Sequence, residues 1–165
     1  MSLHRRRLVC AGVLAFAWVK AARAHRGHQT MSLVDVDARG EVRITHTLTA
    51  HNTEPELARL APAANPSVDD PDALKALLDH LAGGFTVNGS KADLLSYHLG
   101  SDTLTFVYRA RVALAGKGLP QRFTIDYKLF AGSYSAPVGL VQVRYRGATK
   151  SLQCVPGAAP LSVDF

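Results

Sequence analysis

The sequence predicts a mainly β fold, an antiparallel β-sandwich of about eight strands with a short helical insertion. After residue 24, apolar and polar residues alternate with a period of two over most of the chain, as expected of strands that bury one face. Turn-forming sequences rich in glycine, asparagine and aspartate separate the alternating runs at intervals of roughly 8 to 12 residues. One stretch, between residues 70 and 84, instead carries leucines at helical spacing.

The first two strands are predicted to form a hairpin. Residues 31–37 are rich in β-forming residues, and Ala38-Arg39-Gly40 supplies a turn. Residues 41–51 alternate throughout, and one face carries Val42, Ile44, His46, Leu48 and Ala50. Antiparallel pairing would place the end of the second strand beside the start of the first.

The helical insertion is predicted to contain two helices. Thr53 and Glu56 have the spacing of a capping box, so a short helix is expected to begin at Thr53. Asp70 and Pro71 then open a longer helix that ends at Gly83-Gly84. The leucines of this second helix share one side, which is expected to pack against a sheet.

Strands resume after the second helix. The predicted strands are residues 85–87, 92–99, 103–114, 123–130, 140–146 and 149–155. Their number and spacing favour an Ig-like antiparallel β-sandwich. Cys154 is the only cysteine after residue 24, and its alternating neighbours predict a small buried hydrophobic residue.

The first 24 residues have the pattern of a secretory signal peptide. Three arginines at positions 5–7 precede a short apolar run over residues 8–19, and Ala22 and Ala24 stand where a signal peptidase cleaves. We expect one exported domain, residues 25–165, that is periplasmic or secreted and has no transmembrane segment. The arginines leave both the general secretory and the twin-arginine routes open.

The basic charge of the chain belongs largely to this leader. Five of the 19 lysines and arginines lie in it and none of the 13 acidic residues does, so the remaining chain has a balance of 14 − 13 = +1. A nearly neutral domain gives no support to nucleic-acid binding. Motifs for a serine nucleophile, a phosphate loop or a zinc protease are absent from the sequence, which predicts no catalytic residues and a protein that is not an enzyme.

Cleavage after Ala24 would make His25 the first residue of the exported protein. Its α-amine and its imidazole would then both be available as nitrogen ligands near neutral pH. Such ligands favour copper(II) over zinc or nickel. His28 follows three residues later, while His46, His51 and Glu54 lie where the second strand passes into the first helix. The predicted hairpin would bring all five candidate ligands, His25, His28, His46, His51 and Glu54, to one end of the sandwich.

An alternative assigns these histidines to structure. His46 lies on the apolar face and could be a core histidine satisfied by one hydrogen bond. A separation of five residues also places His46 and His51 on opposite faces of a regular strand. The same sequence is therefore compatible with a non-catalytic Ig-like interaction module that binds an envelope protein partner.

Two sequence segments carry a resemblance to a known family. Ala24-His25-Arg26-Gly27-His28, followed by Thr45-His46-Thr47-Leu48-Thr49-Ala50-His51-Asn52-Thr53-Glu54, resembles a family of small exported bacterial proteins of unknown function. The chain is also similar to the exported head domain of hydrogenase and urease accessory permeases. In that family an aspartate commonly stands where this chain has Asn52, so one carboxylate ligand is missing here. The resemblance implies an exported β-rich domain and assigns no activity.

Overall fold

The computed structural model describes residues 29–116, 119–133 and 138–165. The predicted signal peptide, His25 and His28 lie outside these residues. The described chain is mainly β, with 47% strand and two helices. Neither helix in this part of the chain is long and apolar enough to cross a membrane.

Nine strands and two helices follow one another along the described chain. In order they are β1 (Gln29–Val36), β2 (Glu41–Thr49), α1 (Ala50–Leu60), α2 (Pro71–Gly84), β3 (Phe85–Val87), β4 (Asp93–Leu99), β5 (Thr103–Arg111), β6 (Arg122–Tyr127), β7 (Val138–Tyr145), β8 (Ala148–Cys154) and β9 (Leu161–Asp164).

The strands form two open sheets. The larger sheet has six strands in the order β4-β5-β2-β1-β7-β8, and the smaller has three in the order β3-β6-β9. All pairs are antiparallel except β1 with β7, which run parallel from Gln29 beside Val138 to Val36 beside Tyr145. The expectation of a wholly antiparallel sandwich is wrong at this one pair, because alternation reports which face is buried but carries no information on strand direction.

The core lies between the two sheets and under α2. Phe123 of the small sheet packs edge-on against Tyr145 of the large sheet, with ring centroids 5.3 Å apart. Leu77 and Leu81 of α2 are fully buried, as their helical spacing predicts. Cys154 is buried and unpaired, which confirms its predicted role as a small core residue.

The predicted first hairpin and second helix are confirmed. β1 and β2 pair antiparallel, with Ser32 opposite His46, and Gly40 adopts a φ of 81° in the turn between them. Asp70 accepts hydrogen bonds from the backbone N–H groups of Asp72 and Ala73 at 3.0 and 3.1 Å, so α2 begins with a side-chain cap.

The predicted start of the first helix is wrong by three residues. α1 begins at Ala50, directly after β2, and the Thr49 side chain at its N-cap makes no capping hydrogen bond. Thr53 lies inside the helix, where its hydroxyl donates to the Thr49 carbonyl oxygen at 2.8 Å. The Ala50 N–H donates to the Asp102 carbonyl oxygen at 3.0 Å, so a tertiary contact supports the first turn where a local capping box was expected. His51 is consequently a helical residue.

One strand has no counterpart in the sequence prediction. β9 spans only four residues and pairs antiparallel with β6. Four alternating residues after Pro160 give too short a pattern to distinguish a strand from a tail, so the count of about eight becomes nine.

Candidate metal-binding site

His46 is enclosed in the core. Its side chain is 1% exposed, and its Nδ1 forms a 2.8 Å hydrogen bond with the Ser32 hydroxyl from the opposing position on β1. The rings of Phe85 and Tyr108 contact the imidazole edge-on, with centroid distances of 4.9 and 5.7 Å. Burial disfavours the charged form and lowers the pKa of His46 to about 3.

This environment is that of a neutral structural histidine. One ring nitrogen is engaged by Ser32, and aromatic rings from the small sheet and from β5 lie against the imidazole. The structure thus provides the single hydrogen bond that the core-histidine alternative requires. We therefore leave His46 out of the metal site considered below.

His51 and Glu54 are exposed in the first turns of α1. They are three residues apart, a spacing that places two side chains on the same side of a helix. The hydrogen bonds from Thr53 to Thr49 and from Ala50 to Asp102 hold this end of the helix against the end of the large sheet. His51 and Glu54 therefore form a pair of potential ligands on a fixed support.

The start of β1 lies at the same end of the large sheet. Met31 pairs with Thr47, two residues before the end of β2, and this is the pair of the β1–β2 ladder that lies nearest to α1. Neighbouring strands are about 4.8 Å apart. His25 and His28 precede Gln29, the first described residue, by four residues and by one residue in sequence.

The described residues do not form a complete metal site by themselves. Within residues 29–116, 119–133 and 138–165, no group of three or more histidine, cysteine, aspartate or glutamate side chains is arranged to hold a metal ion. His51 and Glu54 supply two ligands at most.

A second polar cluster joins the two helices to the loop after β6. Glu56 of α1 is 5% exposed, and its carboxylate accepts hydrogen bonds from the Ser133 hydroxyl and from Arg59 Nε, the latter at 3.2 Å. His80 of α2 accepts a 2.8 Å hydrogen bond at Nε2 from the Phe130 N–H. Burial lowers the pKa of His80, nearby Arg59 lowers it further, and Glu56 partly opposes both.

The hydrogen bonds of this cluster connect the loop after β6 to α1 and α2. The Glu56 carboxylate receives two donors, and the acceptor nitrogen of His80 is occupied by a backbone N–H. Ser133 lies 77 residues from Glu56 in sequence, so no local pattern could have paired them. The arrangement supports a structural role.

A scan of protein-family models finds no match to this sequence, and a comparison with curated proteins finds none either.

Proposed function

We propose that the exported protein binds a transition metal, with copper(II) as the favoured ion, at the end of the large sheet where β1 starts. His25 provides its α-amine and its imidazole, His51 provides a further imidazole, and Glu54 and His28 complete or orient the site. The observation that supports this proposal is the register of β1 with β2, in which Met31 near the start of β1 lies opposite Thr47, three residues before α1 begins.

The chain length between the predicted N-terminus and the described fold suits this arrangement. His25 precedes Gln29 by four residues, which span at most about 14 Å when extended. That reach exceeds the separation of neighbouring strands, and the proposal takes the N-terminal amine back to the exposed His51 imidazole within it. In this arrangement the described fold supplies the His51 imidazole, and the N-terminal residues supply the nitrogen ligands of His25 and His28.

The chemistry of these donors favours copper(II). Two or three nitrogen ligands with an optional carboxylate suit copper(II), and zinc or nickel less strongly. The proposal does not extend to catalysis, and we assign the protein a role in buffering or delivering copper in the periplasm. The predicted signal peptide and the resemblance to small exported proteins agree with this location.

Isothermal titration of copper(II) into the processed protein tests the proposal. We expect one saturable site, with an affinity weakened by about tenfold or more in His51→Ala because one of the few ligands is removed. His98→Ala is the matched control, since His98 is an exposed histidine on β4 and is outside the proposed site. Absence of saturable binding, or equal losses in the two variants, would contradict the proposal.

A second candidate is a non-catalytic Ig-like interaction module of the cell envelope. The observation that favours it is the exposed edge strand β4, where Leu94, Leu95 and Tyr97 are 40%, 46% and 47% exposed. Exposed apolar edge strands are surfaces to which another chain can add. In this candidate the histidines are structural, and the copper titration separates the two functions because only the first requires a saturable site.

A further inference from the structure

A cavity of about 250 Å³ opens at the end of β7, beside Tyr145. It lies between the β7–β8 hairpin, the β5–β6 connection and Phe165. Its apolar walls include Leu119, Tyr145 and Phe165, and Arg146 and Lys150 lie at its sides. An apolar cavity of about 150 Å³ suffices to hold benzene. The cavity is therefore large enough for one aromatic ring with a short side chain.

Hydrogen bonds between residues of the chain hold the walls of the cavity in place. Gln121 and Phe165 exchange backbone hydrogen bonds of 2.9 and 2.7 Å, which fixes the end of the chain against β6. The Gln121 side chain accepts from the Ala115 N–H at 2.7 Å and donates to the Arg122 carbonyl oxygen at 3.0 Å. A largely pre-formed cavity of this kind loses little conformational freedom when it binds a small molecule.

Among the described residues that line the cavity, Arg146 and Lys150 are the two cations and no side chain is acidic. The Arg146 guanidinium lies 5.0 Å from the Tyr145 ring centroid, and Lys150 Nζ lies 5.4 Å from the Phe165 ring centroid. Neither cation forms an ion pair with a carboxylate within the described part of the chain. The adjacent carboxylate, Asp164, accepts hydrogen bonds of 2.6 and 3.0 Å from Arg122, and the charge of Lys150 also contributes to the lowering of the Asp164 pKa.

We propose that this cavity binds a small aromatic monocarboxylate. The aromatic ring would pack between Leu119 and the rings of Tyr145 and Phe165, where apolar area is removed from water. The carboxylate would then face Arg146 and Lys150, which supply charge-assisted hydrogen bonds. This inference is independent of the proposed copper site, which is at the opposite end of the strands.

Titration with 3-phenylpropanoate, followed by two-dimensional amide NMR without metal present, tests the proposal. We expect saturable shifts at the amides of Leu119, Tyr145 and Phe165. The neutral analogue 3-phenylpropan-1-ol has the same ring without the charge, and we expect it to bind about tenfold or more weakly. Equal binding of acid and alcohol would overturn the assignment of the two cations, and absence of saturable shifts would overturn the site.

Three variants assign the contributions of the cavity walls. Replacing both Arg146 and Lys150 with glutamine is expected to weaken 3-phenylpropanoate binding by about tenfold. Leu119→Glu is expected to weaken it as well, since it introduces a negative charge at a side chain that is 66% exposed and has no role in the core. Lys91→Gln removes an exposed cation elsewhere and should leave binding unchanged. Unaltered binding in the double variant and in Leu119→Glu would refute the proposal.

Discussion

Lowering the pH from 7 to 5 is expected to reduce the free energy of unfolding by about 2 kcal/mol through His46 alone. Urea denaturation of the protein at pH 7, 6 and 5 measures this change directly. The effect arises because His46 is buried as a neutral ring between Ser32, Phe85 and Tyr108.

The direction follows from the pKa of His46 in the two states. In the unfolded chain the pKa is about 6.5, whereas burial lowers it to about 3 in the folded protein. Below pH 6.5 the unfolded chain binds a proton that the folded chain excludes, so stability decreases as the pH falls toward 3. His80, whose pKa is also lowered chiefly by burial, adds to the loss in the same direction.

Removing the buried pair tests this explanation. The double variant Ser32→Ala with His46→Leu eliminates both hydrogen-bonding partners, and its stability between pH 7 and 5 should depend much less on pH. His98→Gln is the control for loss of a histidine, because His98 is exposed on β4, and it should retain the dependence of the original protein. An equally steep pH dependence in the double variant would refute the assignment to His46.

Replacing Gly139 with alanine is expected to destabilise the fold by about 3 kcal/mol. A Cβ at this position on β7 would overlap Cζ and Cε2 of Tyr127, a ring that is 2% exposed in the core. The ring has little freedom to move, since the Tyr127 hydroxyl forms a hydrogen bond with Thr30 on β1. Urea denaturation near neutral pH provides the measurement.

Gly83→Ala is the matched control for this substitution. Gly83 lies in the last turn of α2, and a Cβ built there has no neighbouring heavy atom within 4 Å. Alanine is the better helix former, so this variant should be unchanged or up to about 1 kcal/mol more stable. If Gly139→Ala were as stable as Gly83→Ala, the close packing of Tyr127 against β7 would be wrong.

The local elements of the fold were predictable from the sequence because their signals are short in range. Turn residues before Glu41 and alternation after it identify the first hairpin, and Asp70-Pro71 with the leucines that follow identifies α2. The parallel pairing of β1 with β7 was not predictable, since it joins segments about a hundred residues apart whose alternation is the same for either direction.

The candidate site was predictable only in part. Alternation placed His46 on the apolar face, but its Ser32 partner depends on the register of the hairpin, and its Phe85 neighbour comes from the other sheet. The position of His51 depended on where β2 gives way to α1, and at that point the Ala50 N–H donates a hydrogen bond to the distant Asp102 carbonyl oxygen. Tertiary contacts of this kind leave no periodic signal in the sequence.

The central claim concerns the α-amine of His25, and acetylation of that amine tests it. Copper(II) is titrated into the protein that begins at His25 and into the same protein with an N-terminal acetyl group, which converts the amine into an amide and supplies no new amine. The account predicts that acetylation weakens copper binding by about tenfold or more, because it removes one nitrogen ligand from the proposed site. Equal affinity of the two proteins for copper(II) would contradict it.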